Sequence, residues 1–203
     1  MFRNLGLLDA ADAANLEALD SINVMALSGE PFHVAHLDLL DGALARRDAA
    51  AVDRWLAAAS AIDTWDGGMS WRQKARLDLL RARITMWQGG DPAVAAALSE
   101  AVRVRAEAWP VPRYRLLAEL LLDEAAVRAG TMVDPAAVTA RLDALQPLAA
   151  PETWWRTAEL AVVLEDEGLW AVAERRAEAI AASAPPDLDA GPAIRARLEA
   201  TRR

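Results

Sequence analysis

Three aspartates at equal spacing constrain this chain more than any other feature. Asp48, Asp91 and Asp134 follow one another at intervals of 43 residues, and each precedes a stretch with apolar residues at helical spacing. Asp48 opens DAAAVDRWLAAA, Asp91 stands before Pro92, and Asp134 with Pro135 opens DPAAVTARLDAL. An aspartate at this place accepts the orphan N–H groups of a helix's first turn, and proline at the first helical position gives up an N–H that has no partner there. Val52 and Leu56 of the first stretch reappear as Val138 and Leu142 of the third. A constant interval between helix starts marks a helical-hairpin repeat, in which one hairpin cannot bury its apolar face alone and stacks on the next.

The rest of the chain fills the intervals with further helices. Leu16, Leu19 and Ile22 keep helical spacing from about Asp9 to Ser28, ended by Gly29 and Pro31. A second helix is expected from Phe32 to Arg47, and others from Trp71 to Gln88 and from Arg113 to Ala129, closed by Gly89-Gly90 and by Gly130. The stretch DTWDGGMS, with Gly67 and Gly68 together, reads as the clearest loop, and Ser70 as an N-cap after it. Pro151 and Glu152 start another helix. Nowhere does the pattern alternate with period two, so no strand is expected.

The most sharply punctuated unit is ELAVVLEDEGLWAVAERRAEAIAASAP, from Glu159 to Pro185. Ala161 and Ala173 are small where two helices meet closely, Gly168 stands at the turn with Trp170 after it, and Pro185 stops the second helix. This layout resembles a tetratricopeptide repeat, and the array is similar to the helical-repeat parts of bacterial regulators. The resemblance implies an all-α fold, a right-handed α-solenoid of antiparallel helical hairpins. As one domain over residues 1–203, it would comprise an N-terminal helix in 1–31, repeats in 32–66, 69–109, 110–149 and 151–185, and a C-terminal capping helix in 187–203. It also implies a non-enzymatic scaffold that binds protein or peptide on the surface formed by the first helix of each hairpin. With Gly168 setting the register, Trp155, Ala158, Val162, Glu165 and Asp166 fall on that surface. Such a face, aromatic at one end and acidic at the other, suits a peptide with basic and apolar residues.

Trp65, in the glycine-rich loop, is a second candidate for partner binding. Of the adjacent Trp154 and Trp155, one is expected to remain available to a partner, because neighbours on a helix diverge by about 100°. The apolar edge of the first helix, Leu16, Leu19 and Ile22, lacks a partner before it and predicts packing on the next hairpin or a homodimer. An alternative function on the same architecture is a small-molecule or peptide sensor, which a deep cavity lined by Trp and Arg would distinguish.

Composition removes several classes of function. The net charge of −8 opposes binding to a phosphate backbone, so no nucleic acid partner is expected. The absence of cysteine rules out disulfides and thiolate chemistry. The N-terminus carries no apolar run of signal-peptide length and no stretch is long enough to span a membrane, which points to a cytoplasmic protein. His33 and His36 are the only histidines, HExxH is absent, and no third ligand is set by spacing, so no metal and no cofactor are expected. They read as a partly exposed pair at a helix start. The acids Asp123-Glu124 and Glu165-Asp166-Glu167 read as solvated or peptide-facing surface, and an enzyme ranks last.

Overall fold

The computed structural model describes residues 2–24, 29–66 and 70–202, with only the backbone of 22–24. Among these residues the chain is all helical, with ten α-helices and no strand. They are α1 Leu8–Val24, α2 Glu30–Ala45, α3 Ala49–Ala59, α4 Ser70–Trp87, α5 Pro92–Ala108, α6 Pro112–Arg128, α7 Pro135–Asp143, α8 Thr153–Leu164, α9 Glu167–Ala182 and α10 Ala190–Arg202. Short 3-10 turns occupy Phe2–Leu5, Ser60–Thr64 and Pro147–Ala149. The expected ends of the first helix at 25–28 and the Gly67-Gly68 loop lie outside the described residues.

The three spaced aspartates each cap a helix. Asp48 accepts a hydrogen bond from the N–H of Ala51 at 3.0 Å, Asp91 from Ala93 at 2.8 Å and Asp134 from Ala136 at 3.0 Å. A fourth cap, Asp166, accepts from Leu169 at 2.6 Å and starts α9.

The turn before each cap is also repeated. Gly89 and Gly130 adopt left-handed φ values of 70° and 81°, and the residue after each returns a hydrogen bond to the last helical turn. At the ends of α2 and α8 the same conformation is held by Arg47, φ 56°, and Glu165, φ 53°. The turn assigned to Gly168 is therefore made by Glu165. Asp166 caps α9 so early that Gly168 falls inside its first turn.

α2, α4, α6 and α8 touch one another in succession, while α3 packs on α2, α5 on both α4 and α6, and α9 on α8. The core accordingly divides into clusters. Leu37, Leu40, Val52, Ile62 and Leu77 join α2, α3 and α4. Leu79, Val102 and Leu121 join α4, α5 and α6. The largest cluster binds α6 through α10 and includes Leu5 of the N-terminal turn.

α1 has a partner after all. Gly42 lets the Asp12 carboxylate approach α2 so closely that a Cβ there would lie 2.7 Å from it, and Arg46 holds Asp9 and Asp12 at 2.9 and 2.8 Å. Leu19 is buried against Ala35 and Leu39, while Leu16 stays 46% exposed. Among the described residues no helix is long and apolar enough to cross a membrane.

Candidate functional site

The residues named for a peptide groove do not share a surface. Trp155 and Ala158 are 1% and 0% exposed, whereas Val162 is 39% exposed. Glu165 is exposed but serves as the left-handed residue that ends α8, and Asp166 is half-buried as the cap of α9. Trp65 is half-buried, its ring 4.6 Å from that of His33.

Trp154 and Trp155 both face the interior, contrary to the expectation that one is free. Their side chains do diverge, with ring planes at 87°, but the N-terminal half of α8, from Thr153 to Ala158, is buried around its whole circumference. Trp154 Nε1 donates to the Asn4 carbonyl at 3.0 Å, and Arg197 of α10 lies 4.1 Å from the Trp155 ring. The chain's own N-terminal turn and last helix thus cover the face assigned to a peptide.

Two further surface expectations fail for the same reason of burial. His33 and His36 are buried, and burial lowers both pKa values, with the neighbouring imidazole adding to the effect at His33. Glu124 is buried and accepts from Arg156 at 2.9 Å and Arg128 at 3.0 Å, while Asp123 pairs with Arg141. Among the described residues no three His, Asp or Glu side chains gather as metal ligands would.

What α2, α4, α6 and α8 bring together is a set of arginines around two hollows. Arg83 shares its face of α4 with Leu79, Leu80, Met86 and Trp87, and Arg156 shares its face of α8 with Thr153, Glu159 and Leu160. Arg3 reaches in from the N-terminal turn and bridges Asp38 at 2.9 Å and Asp41 at 2.8 Å. Arg76 also pairs with Asp38, and Arg83 with Asp41 and, at 3.2 Å, with Glu159. Arg156 meets both Glu124 and Glu159, and Arg113 meets Glu152.

Two cavities lie within this network. The central one, about 50 Å³, is walled by Arg3, Arg76, Arg83 and Arg156 on its polar side and by Tyr114, Leu117 and Trp155 on its apolar side. The second, about 160 Å³, is lined by Leu44, Trp87, Val162 and Val163, with Arg47 and Arg128 beside them. Arg83 and Arg156 line both and so divide one from the other.

Burial sets the electrostatics of this region. It pushes the Arg156 pKa down to about 10, with repulsion from Arg83 adding to the effect. It pushes Arg197 down to about 9. Burial works to raise the Asp41 carboxyl, yet Arg3, Arg83 and Arg197 outweigh it and hold Asp41 well below the usual carboxylate range. The sequence does contain a signal for this site, charges set inside apolar stripes, as in LLDGAL around Asp41 and TWWRTA around Arg156. The signal is masked because arginine is the dominant basic residue everywhere in the chain. No family model, curated protein or solved structure matches this chain.

Proposed function

We propose that this chain is a non-enzymatic small-molecule-binding domain of the α-solenoid kind, a right-handed array of antiparallel hairpins wound tightly enough to enclose a ligand. The 43-residue repetition of capped helices and the succession of contacts along α2, α4, α6 and α8 support the array. The observation that carries the function is the interior space divided by Arg83 and Arg156, with Trp155 and Trp87 in its walls. Ligand sites combine apolar walls with a few convergent polar groups, and this space has both kinds of lining, Leu44, Trp87 and Val162 beside Arg83 and Arg156. A peptide groove on the first helices loses its support, because Trp155 and Ala158 are covered by other parts of the chain. A protein-contact role for the outer surface has separate support in Trp109, 61% exposed and stacked on Trp71.

The test is a thermal-shift screen of small metabolites against the parent and Val162→Trp, a substitution at a partly exposed wall position that fills the second cavity. A ligand at 100 times its Kd stabilises the parent by about 2.7 kcal/mol, and the filled variant should not respond to it. If no compound raises the parent's Tm, or the variant responds equally, the interior is not a ligand site. The outer surface around Trp109 then becomes the candidate.

A further inference from the structure

The N-terminal turn Phe2–Leu5 lies across the molecule as a bound peptide would. It belongs to no hairpin, and it reaches from α2 to α8, α9 and α10. Three consecutive residues anchor it. Arg3 inserts its guanidinium between Asp38 and Asp41 of α2 at 2.9 and 2.8 Å. The carbonyl of Asn4 accepts a hydrogen bond from Trp154 Nε1 at 3.0 Å. Leu5, 4% exposed, enters the apolar cluster that includes Trp154, Ile180 and Ile194. One anchor is ionic, one is a main-chain group that any residue supplies, and one is apolar. The pattern this seat reads is therefore an arginine with a leucine-sized residue two positions on.

The seat keeps its own balance without its occupant. Asp38 also pairs with Arg76 and Asp41 with Arg83, so withdrawing Arg3 leaves neither carboxylate unpaired. Hollows border the segment along its length. Arg3 walls the central cavity of about 50 Å³, Asn4 and Leu5 line a hollow of about 180 Å³ beside Leu148 and Ile180, and Gly6 and Leu8 line one of about 620 Å³ against α10. Each hollow removes packing contacts that would otherwise hold the segment down. Asn4 Oδ1 is buried without a hydrogen-bond partner, so the chain's own segment fills the seat imperfectly. Gly6, with a left-handed φ of 75°, joins the turn to α1 and supplies a hinge about which the segment swings while the helix stays in place.

We propose that Phe2–Leu5 is an internal ligand, a strap occupying a docking site for a partner peptide that carries arginine and, two residues on, leucine or a residue of similar size. The partner enters as the strap swings out, its guanidinium between Asp38 and Asp41 and its apolar side chain in the cluster of Trp154 and Ile180. This protein-contact role is independent of the small-molecule reading above. Its floor is the strap's own seat, not the face of Trp155, Ala158 and Val162.

Fluorescence anisotropy with a labelled peptide FRNLGLL, the chain's own residues 2–8, tests the exchange. A tethered segment competes at an effective concentration on the order of millimolar, so the parent should bind this peptide weakly. Arg3→Ala removes the strap's ionic anchor and should tighten the peptide by at least about tenfold. Gly6→Ala sets a Cβ 3.0 Å from the Ala193 backbone at a left-handed φ, which loosens the strap without touching the residues the seat reads. It should also tighten the peptide, and it tests the site even if Arg3→Ala folds poorly. The peptide FNRLGLL has the same charge and should bind either variant at least about fivefold more weakly, which separates recognition from attraction to a chain of net charge −8. Binding by a folded Arg3→Ala or Gly6→Ala that is no tighter than the parent's overturns the exchange and makes the strap a fixed part of the fold. Equal binding of the two peptides overturns the spacing of arginine and leucine. A parent dimer in light scattering that Arg3→Ala dissolves makes a second copy's strap the occupant, and the separate partner falls.

Discussion

Among the described residues four α-helices end on a left-handed residue, and only two of those residues are glycine. At Gly89 and Gly130 the conformation is free of steric cost, but at Arg47 and Glu165 the Cβ crowds the carbonyl that follows. The aspartate after each holds the strained residue in place, Asp48 by capping α3 and Asp166 by capping α9. Arg47→Gly and Glu165→Gly should therefore each raise unfolding stability by about 0.5–1 kcal/mol, the left-handed penalty less the extra chain entropy of glycine. Urea denaturation of the single variants checks this, and a loss of stability in both would mean that the side chains, not the backbone, decide these turns.

At the scale of elements, α8 explains most of what the pattern of residues misplaced. Its sequence, TWWRTAELAVVL, is apolar around most of its circumference, which is the mark of a helix buried on all sides and not of a groove wall. Arg156 sits in that helix almost without exposure, and its charge is matched by Glu124 of α6 and Glu159 one turn on. Removing one partner of a buried pair leaves the other uncompensated. Glu124→Ala should cost about 3–5 kcal/mol on that account, while Glu119→Ala, removing the i,i+4 partner of the exposed Arg115 on the same helix, should cost under about 1 kcal/mol. Chemical denaturation of the two variants side by side gives the comparison. Similar losses in both would show that water reaches Arg156.

Across the whole molecule, stability should depend on pH through the two histidines under α3. Burial lowers the folded pKa of His33 and His36, so above their unfolded value of about 6.5 both states are neutral and nothing is lost. As pH falls through that value the unfolded chain takes up protons that the folded chain resists, and stability declines. Asp12, Asp78 and Asp123 act in the opposite sense, since burial raises their folded pKa values and the folded state gains protons first as pH falls toward 4. The histidine contribution is isolated by comparison. Between pH 7 and pH 5 the parent should lose more Tm than His33→Gln/His36→Gln, in which the aspartates are unchanged. Parallel curves would show that the imidazoles protonate freely in the folded state.

The sequence by itself determined where helices begin and end. Those boundaries are set by local chemistry, an aspartate within reach of the next few N–H groups or a proline that cannot continue a helix, and local chemistry is written in consecutive residues. Asp48, Asp91 and Asp134 were legible for that reason. Gly168 does not make the turn, because glycine and the αL conformation are associated without being bound to each other and Asp166 caps α9 one turn earlier. Only the tertiary structure decided which faces are covered. The burial of Trp154 depends on Asn4, 150 residues away, and the arginine-lined interior depends on residues from Arg3 to Arg156 meeting across five elements. Such meetings follow from the angles at which successive helices pack, and those angles come from side-chain fit across every interface, which no local spacing records.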